Sequence, residues 1–467
     1  MRFRYYISRI FKDMVEAIRG SEQDFTTGHL GRAIFLLSVP MVLEMMMESV
    51  FSIVDIFFVS KLGADAVAVV GITESMMTLV YSIAIGLSVG ISAIVSRRIG
   101  EKQPEKAGKA ASQAIILGLL VSVIIAVPGA VYSKNLLELM GLNQGAVELG
   151  WRYTAIIFSS NVVIMMLFII NSIFRSAGDA AISMRVLWIA NIVNIILDPC
   201  LIFGLGPFPE LGVTGAAVAT SIGRGVAVII QLYFLFKGNN RFHMMLAYFK
   251  PDFKLMRQML VLSAGGVAQH LIATTSWIGL VRIISIFGSQ VLAGYTIAIR
   301  IIIFSLLPAW GLSNAASTLT GQNLGANNPR RAERSVWITS LVNMAFLGIM
   351  AVIFQWNPGF FVRLFIADPI VVQHGITALR IISYGFVFYA LGMVMVQAFN
   401  GAGDTATPTF INLFCFWLIE IPLAYLLALQ LGLNEKGAYY AIIISESIMT
   451  VIGVLMFRSG KWKTKMV

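Results

Sequence analysis

A chain of 467 residues, 58% hydrophobic and only 12% charged, with a mean hydropathy of +0.83, lies far from soluble domains, which carry roughly 25% charge. A soluble globular fold is excluded. The net charge of +11 does not indicate a nucleic-acid partner either, because most of the 34 Lys and Arg residues fall in alternate connections between apolar runs, the positive-inside pattern of a multi-pass membrane protein with both termini in the cytoplasm.

Residues 1–30 lack the apolar core of a signal peptide. Phe3, Ile7, Ile10, Phe11, Met14 and Ile18 recur at helical spacing opposite Arg9, Lys12, Asp13 and Glu16, which predicts an amphipathic helix on the cytoplasmic membrane surface. Beyond it, runs near the roughly 20 apolar residues that a bilayer span requires recur twelve times, at about 34–60, 67–95, 110–132, 150–174, 182–204, 212–236, 258–286, 291–320, 335–356, 375–399, 407–430 and 437–457. The expected division is an N-lobe over 31–236, a cytoplasmic linker over 237–257, a C-lobe over 258–457 and a basic tail over 458–467.

The first span contains "EMMMESVFSIVD", which places Glu44, Glu48 and Asp55 in an otherwise apolar segment. At about 100° per residue the three acids share one helix face. Acids at membrane depth face water-filled cavities or partners and mark ion or substrate pathways. Glu44, nearest the mouth, is expected to be solvated, and Glu48 to line a substrate cavity. Met41 and Met45 beside them suit an adaptable lining. In the fifth span, Asn191, Asn194 and Asp198 follow i, i+3, i+7 spacing on one face, and Pro199 frees a nearby backbone carbonyl. Carboxylate, amide oxygens and carbonyl suit a proton or a hard monovalent cation, and Asn191 extends that face toward the cavity. The sixth span adds "GAAVATS", with Ala216 and Thr220 one turn apart and a hydroxyl at Thr220.

Glu74, Arg224, His270, Arg282, Arg300, Glu420 and Glu446 also lie in or near spans, where paired or snorkelling roles are expected. Cys200 and Cys415 lie in apolar spans and suggest neither a disulfide nor a metal site.

An offset of 225 residues aligns the chain with itself. Gly63 falls on Gly288, "GLS" 86–88 on 311–313, Gly100 on Gly325, Pro104 on Pro329, and "AGD" 177–179 on 402–404. One register held through loops and spans alike indicates duplication. The expected fold is an all-α integral membrane protein of twelve transmembrane helices in two pseudo-symmetric six-helix bundles, a parallel repeat with a cavity between its lobes.

With Pro40, Asp55, "NIILDP", "GAAVAT", the paired "AGD" turns and the basic loops after the second and eighth spans in view, the sequence resembles the multidrug and toxic compound extrusion (MATE) family from about residue 30 to 457. Within it, the pattern is similar to the DinF-like branch. That resemblance implies that Asp55 and Asp198, with Asn194, Ala216, Thr220 and Asn171, bind the coupling proton or Na⁺, and that Pro40, with Pro199, acts as a hinge. Other branches carry acids in the seventh and tenth spans, where this chain has Ala273 and Tyr389.

The implied activity is multidrug efflux by H⁺ or Na⁺ antiport through alternating access, from a prokaryotic plasma membrane. Amphipathic, cationic organic compounds are the expected substrates. No cofactor is expected, no metal beyond a Na⁺ at Asp55, Asn194, Asp198, Ala216 and Thr220, and no partner besides substrate and lipid; the protein is expected to be a monomer. A flippase for lipid-linked saccharides is the alternative. An enzyme is not expected, since DDxxD, HExxH and GxSxG are absent from the sequence.

Overall fold

The structure, a computed structural model, describes residues 2–21, 23–238 and 244–465, excluding the side chains of residues 2–10 and Ser52. The described residues form helices and connecting turns, with no strand. The N-terminal helix α1 (Arg2–Arg19) docks on α2 (Leu30–Ser60), where Arg32 pairs with Asp13 at 2.9 Å and Glu16 at 2.6 Å. Phe11, Met14 and Ile18 remain exposed along α1. The side chains of Phe3, Ile7, Arg9 and Ile10 lie outside the described set.

The N-terminal lobe continues with α3 (Ala64–Gly100), α4 (Pro104–Val131), α5 (Ser133–Leu139), α6 (Gln144–Ser159), α7 (Asn161–Ala177), α8 (Ala180–Phe203) and α9 (Val213–Lys237). A short turn of 3₁₀-helix at Leu246–Phe249 leads into the C-terminal lobe. Its helices are α10 (Phe253–Ser285), α11 (Ser289–Gly325), α12 (Pro329–Trp356), α13 (Pro358–Arg363), α14 (Pro369–Ser383), α15 (Phe386–Ala402), α16 (Ala406–Asn412), α17 (Ile421–Tyr425) and α18 (Glu435–Arg458). Among the described residues, ten stretches are long and apolar enough to cross a bilayer, and the bent pair α14–α15 makes an eleventh. The 31-residue α2, which carries Glu44, Glu48 and Asp55, completes the twelve.

Local structure departs from uniform spans in three places. The fourth span is α6 and α7 joined through Ser160, and the tenth is α14 and α15 meeting at 56° around Tyr384 and Gly385. The eleventh winds wider over Leu413–Glu420 and Leu426–Gln430, with π-type turns on both sides of α17. The linker is also less free than its polar composition suggests. Gln113 of α4 donates to the carbonyls of Tyr248 and Lys250 and accepts from the Asp252 amide, and Lys109 pairs with Asp252 at 2.7 Å.

The duplication persists in the coordinates at its sequence offset of 225. α3 and α11 both have 37 residues, α4 and α12 both have 28, and α7 and α15 both have 17, each pair beginning 225 residues apart. The "AGD" turns end α7 and α15 on Gly178 at φ 85° and Gly403 at φ 83°. Only glycine adopts this left-handed C-terminal cap readily, so those positions end both helices alike.

Most of the apolar core forms two large clusters, one centred in each lobe, the first reaching Met256 and Met259 of α10. The lobes meet in the half nearer the termini, through glycines at symmetric positions. A Cβ on Gly100 would strike the Gln322 backbone, and one on Gly325 would strike the Arg97 carbonyl. Gly86 of α3 faces the Val267 backbone of α10, and Gly311 of α11 faces Met41 and Val42 of α2. The absent side chains let helix backbones touch, as small residues do between transmembrane helices.

Candidate functional site

Two polar regions penetrate the apolar interior. The first lies in the N-terminal lobe between α8 and α9. Asn194 and Asp198, one turn apart on α8, project together, and Asn194 Nδ2 donates to Asp198 Oδ1 at 3.3 Å and to Thr220 Oγ1 at 3.2 Å. Gly223 lets α9 approach this face, because its missing Cβ would meet the Ala190 carbonyl and Asn194. Asp198 is 0% exposed and Asn194 2% exposed, yet Asp198 Oδ2 and Asn194 Oδ1 have no hydrogen-bond partner. Ala216 is buried one turn before Thr220 on the same helix. Asp55 of α2 is half-buried and close enough for its charge to act on Asp198. Two orphaned oxygens beside a second carboxylate fit a proton or a small cation, since leaving buried polar atoms unpaired is costly.

The second region is a cavity of about 440 Å³ between the lobes. Glu44, Met45 and Glu48 of α2 line it, opposite Trp310 of α11, Tyr389 of α15 and Glu446 of α18. Its arginines are already engaged. Arg175 of α7 donates to Glu44 at 2.8 Å, and Arg224 of α9 approaches Glu48 at 3.7 Å and lies over the Phe51 ring.

Several expectations are corrected by these positions. Glu44 is 1% exposed and ion-paired rather than solvated, because α7 delivers Arg175 to it. Met41 does not line the cavity. It is fully buried in an apolar cluster with Leu37, Ala315 and Leu319, where α2 crosses α11. Asn191 also lies outside the lining and donates to the Met47 carbonyl at 3.4 Å, tying α8 to α2. Asn171 faces the cavity and accepts from Gln231, so its hydrogen bond does not run to the Asp198 group. Pro40 and Pro199 sit inside α2 and α8, which continue through them.

The repeat could have revealed the residues that single-helix reading missed. Adding 225 to Glu44 and Arg175 gives Gln269 and Asn400, and these two amides hydrogen-bond each other at 3.1 and 3.2 Å. One lobe holds this position with an ion pair and the other with an amide pair. The same shift carries Glu48 to Ala273.

A duplicated helical bundle around a central cavity, with a polar site buried in one lobe, is the architecture of a membrane transporter. The MatE family model matches residues 40–200 and 267–426, and the chain belongs to the multidrug and toxic compound extrusion family. It is 30% identical over 318 residues, 68% of each chain, to a Thermotoga maritima protein described as a probable multidrug resistance protein, NorM. A relative from Shewanella oneidensis, described as an FAD transporter, is 26% identical over 90% of this chain and 93% of its own. Among solved structures, the outward-facing conformation of a multidrug resistance MATE family transporter superimposes with a TM-score of 0.87 at 25% identity, over 97% of this chain and 99% of that one.

Proposed function

We propose that this protein is a DinF-like multidrug exporter of a prokaryotic plasma membrane. It moves amphipathic organic compounds, cationic ones among them, outward through the central cavity in exchange for H⁺ or Na⁺ bound at Asp55, Asn194, Asp198, Ala216 and Thr220. The observation that carries this reading is the Asn194–Asp198–Thr220 cluster, with two buried oxygens left unpartnered beside Asp55. Ion entry removes the penalty of two neighbouring carboxylates, one of them fully buried. Release of the ion restores that penalty and favours the other arrangement of α2, with Pro40 as the flexible point.

The basic loops support placing both termini in the cytoplasm. With that orientation, the glycine-lined contacts close the cytoplasmic side and the cavity serves the outside. A monovalent ion crossing 100 mV contributes about 2.3 kcal/mol, which sustains a gradient of about fifty-fold for a neutral substrate at one-to-one exchange. Exchange against a monocation is electroneutral and draws on the ion gradient alone.

The flippase reading requires a cluster of free cations for a pyrophosphate. Arg175 and Arg224 are both paired with carboxylates, which disfavours it. The test is dye efflux from proteoliposomes under an imposed pH gradient and, separately, an imposed Na⁺ gradient. One of these gradients is expected to drive efflux, and failure of both would overturn antiport.

A further inference from the structure

The two walls of the cavity are related by the repeat, but their charges are not. In the last helix of each lobe the register shortens from 225 to 222, because the connection before α18 is shorter than the one before α9. Gly215 and Gly437 fix this register. A Cβ on Gly215 would strike the Leu201 backbone, and one on Gly437 would strike the backbone of Leu427 and Ala428. Nine residues onward in each helix, the same register places Glu446 where the N-terminal lobe has Arg224, and both line the cavity.

Arg224 has its counter-charge in Glu48, whose repeat partner is the uncharged Ala273. Glu446 consequently has none. It is 8% exposed, its Oε2 has no hydrogen-bond partner, and no Lys or Arg among the described residues pairs with it. A second buried acid, Glu420, 4% exposed at the end of the wide-wound segment, is close enough for its charge to act on Glu446. Aromatic rings line the same cavity: Tyr389, close enough to feel the Glu446 charge, Phe416, and Trp310, which stacks on His270 at 6.4 Å. A buried carboxylate without a counter-ion is strongly disfavoured. A cation placed before it removes that penalty, and aromatic faces add attraction for the same charge.

We propose that Glu446 is the residue that holds the positive group of an organic cation in the central cavity. Glu48, already satisfied by Arg224, has the secondary role. This rests on the export function proposed above and adds the wall and the side chain that select charge. An ammonium or iminium group sits at the free oxygen of Glu446, with its apolar body against Tyr389 and Phe416.

The test uses the full chain in detergent and in liposomes, with ethidium as the permanent monocation and a neutral dye of similar size. Glu446→Gln is expected to weaken ethidium binding at least tenfold, with neutral-dye binding unchanged, and Glu446→Asp to recover part of the loss. Ethidium binding by Glu446→Gln equal to that of the unmodified protein would overturn the proposal. So would an equal loss for both dyes, which marks a structural role. Binding that depends on Glu446 without gradient-driven efflux would uphold this assignment and overturn antiport alone.

Discussion

Glu44 illustrates how much one side chain depends on its partner. Removing one member of a buried ion pair leaves an uncompensated charge and costs about 3–5 kcal/mol. Arg175→Ala should therefore lower the thermal unfolding midpoint in detergent by several degrees. The double variant Glu44→Gln with Arg175→Asn reproduces the Gln269–Asn400 pair of the other lobe, and should recover most of that loss. A midpoint for the double variant at or below that of Arg175→Ala would contradict the equivalence of the two pairs. Sequence periodicity places Glu44, Glu48 and Asp55 on one face of α2, but it does not show which helix that face meets. Arg175 is 131 residues away in sequence, so the pairing that separates a solvated acid from a buried one is not visible within a single span. Asn194 and Asp198 are different. Their spacing on one helix already fixes their contact, and only Thr220 had to come from elsewhere.

At the level of elements, the crossing glycines predict how the lobes can be held apart. Any side chain at Gly100 or Gly325 overlaps backbone across the α3–α11 crossing. Gly100→Leu should disfavour the arrangement seen here and shift the population toward the alternative one. Alkylation of a cysteine introduced at Ser96, fully buried against Gly321 across the same crossing, reads this out: its rate should rise several-fold in Gly100→Leu. An unchanged rate would contradict the seam. The offset of 225 was legible because glycines and prolines at helix ends are dictated by backbone geometry and recur in both lobes. The breaks at Ser160 and around Gly385 were not legible, because hydropathy averages across a bend that leaves apolar content unchanged. The shortened register of α18 escaped for a similar reason, since the landmarks that define the offset end at the second "AGD" turn.

The whole molecule combines a cavity between two lobes with the buried Asn194–Asp198–Thr220 cluster inside one of them; under the proposed antiport, coupling passes through α2, which borders both. α2 carries Glu44 and Glu48 at the cavity, Asp55 near Asp198, and Pro40 and Met41 at the crossing with α11. A bend in α2 would therefore alter cavity, ion site and seam together. Asp198→Asn keeps shape and burial but removes the charge that an ion neutralises. It should abolish gradient-driven export while leaving ethidium binding at Glu446 intact. The most direct measurement compares ethidium efflux by the unmodified protein and by Asp198→Asn in proteoliposomes, under imposed pH and Na⁺ gradients. The account predicts gradient-driven efflux for the first and only passive leak for the second; efflux by Asp198→Asn at the unmodified rate would contradict it.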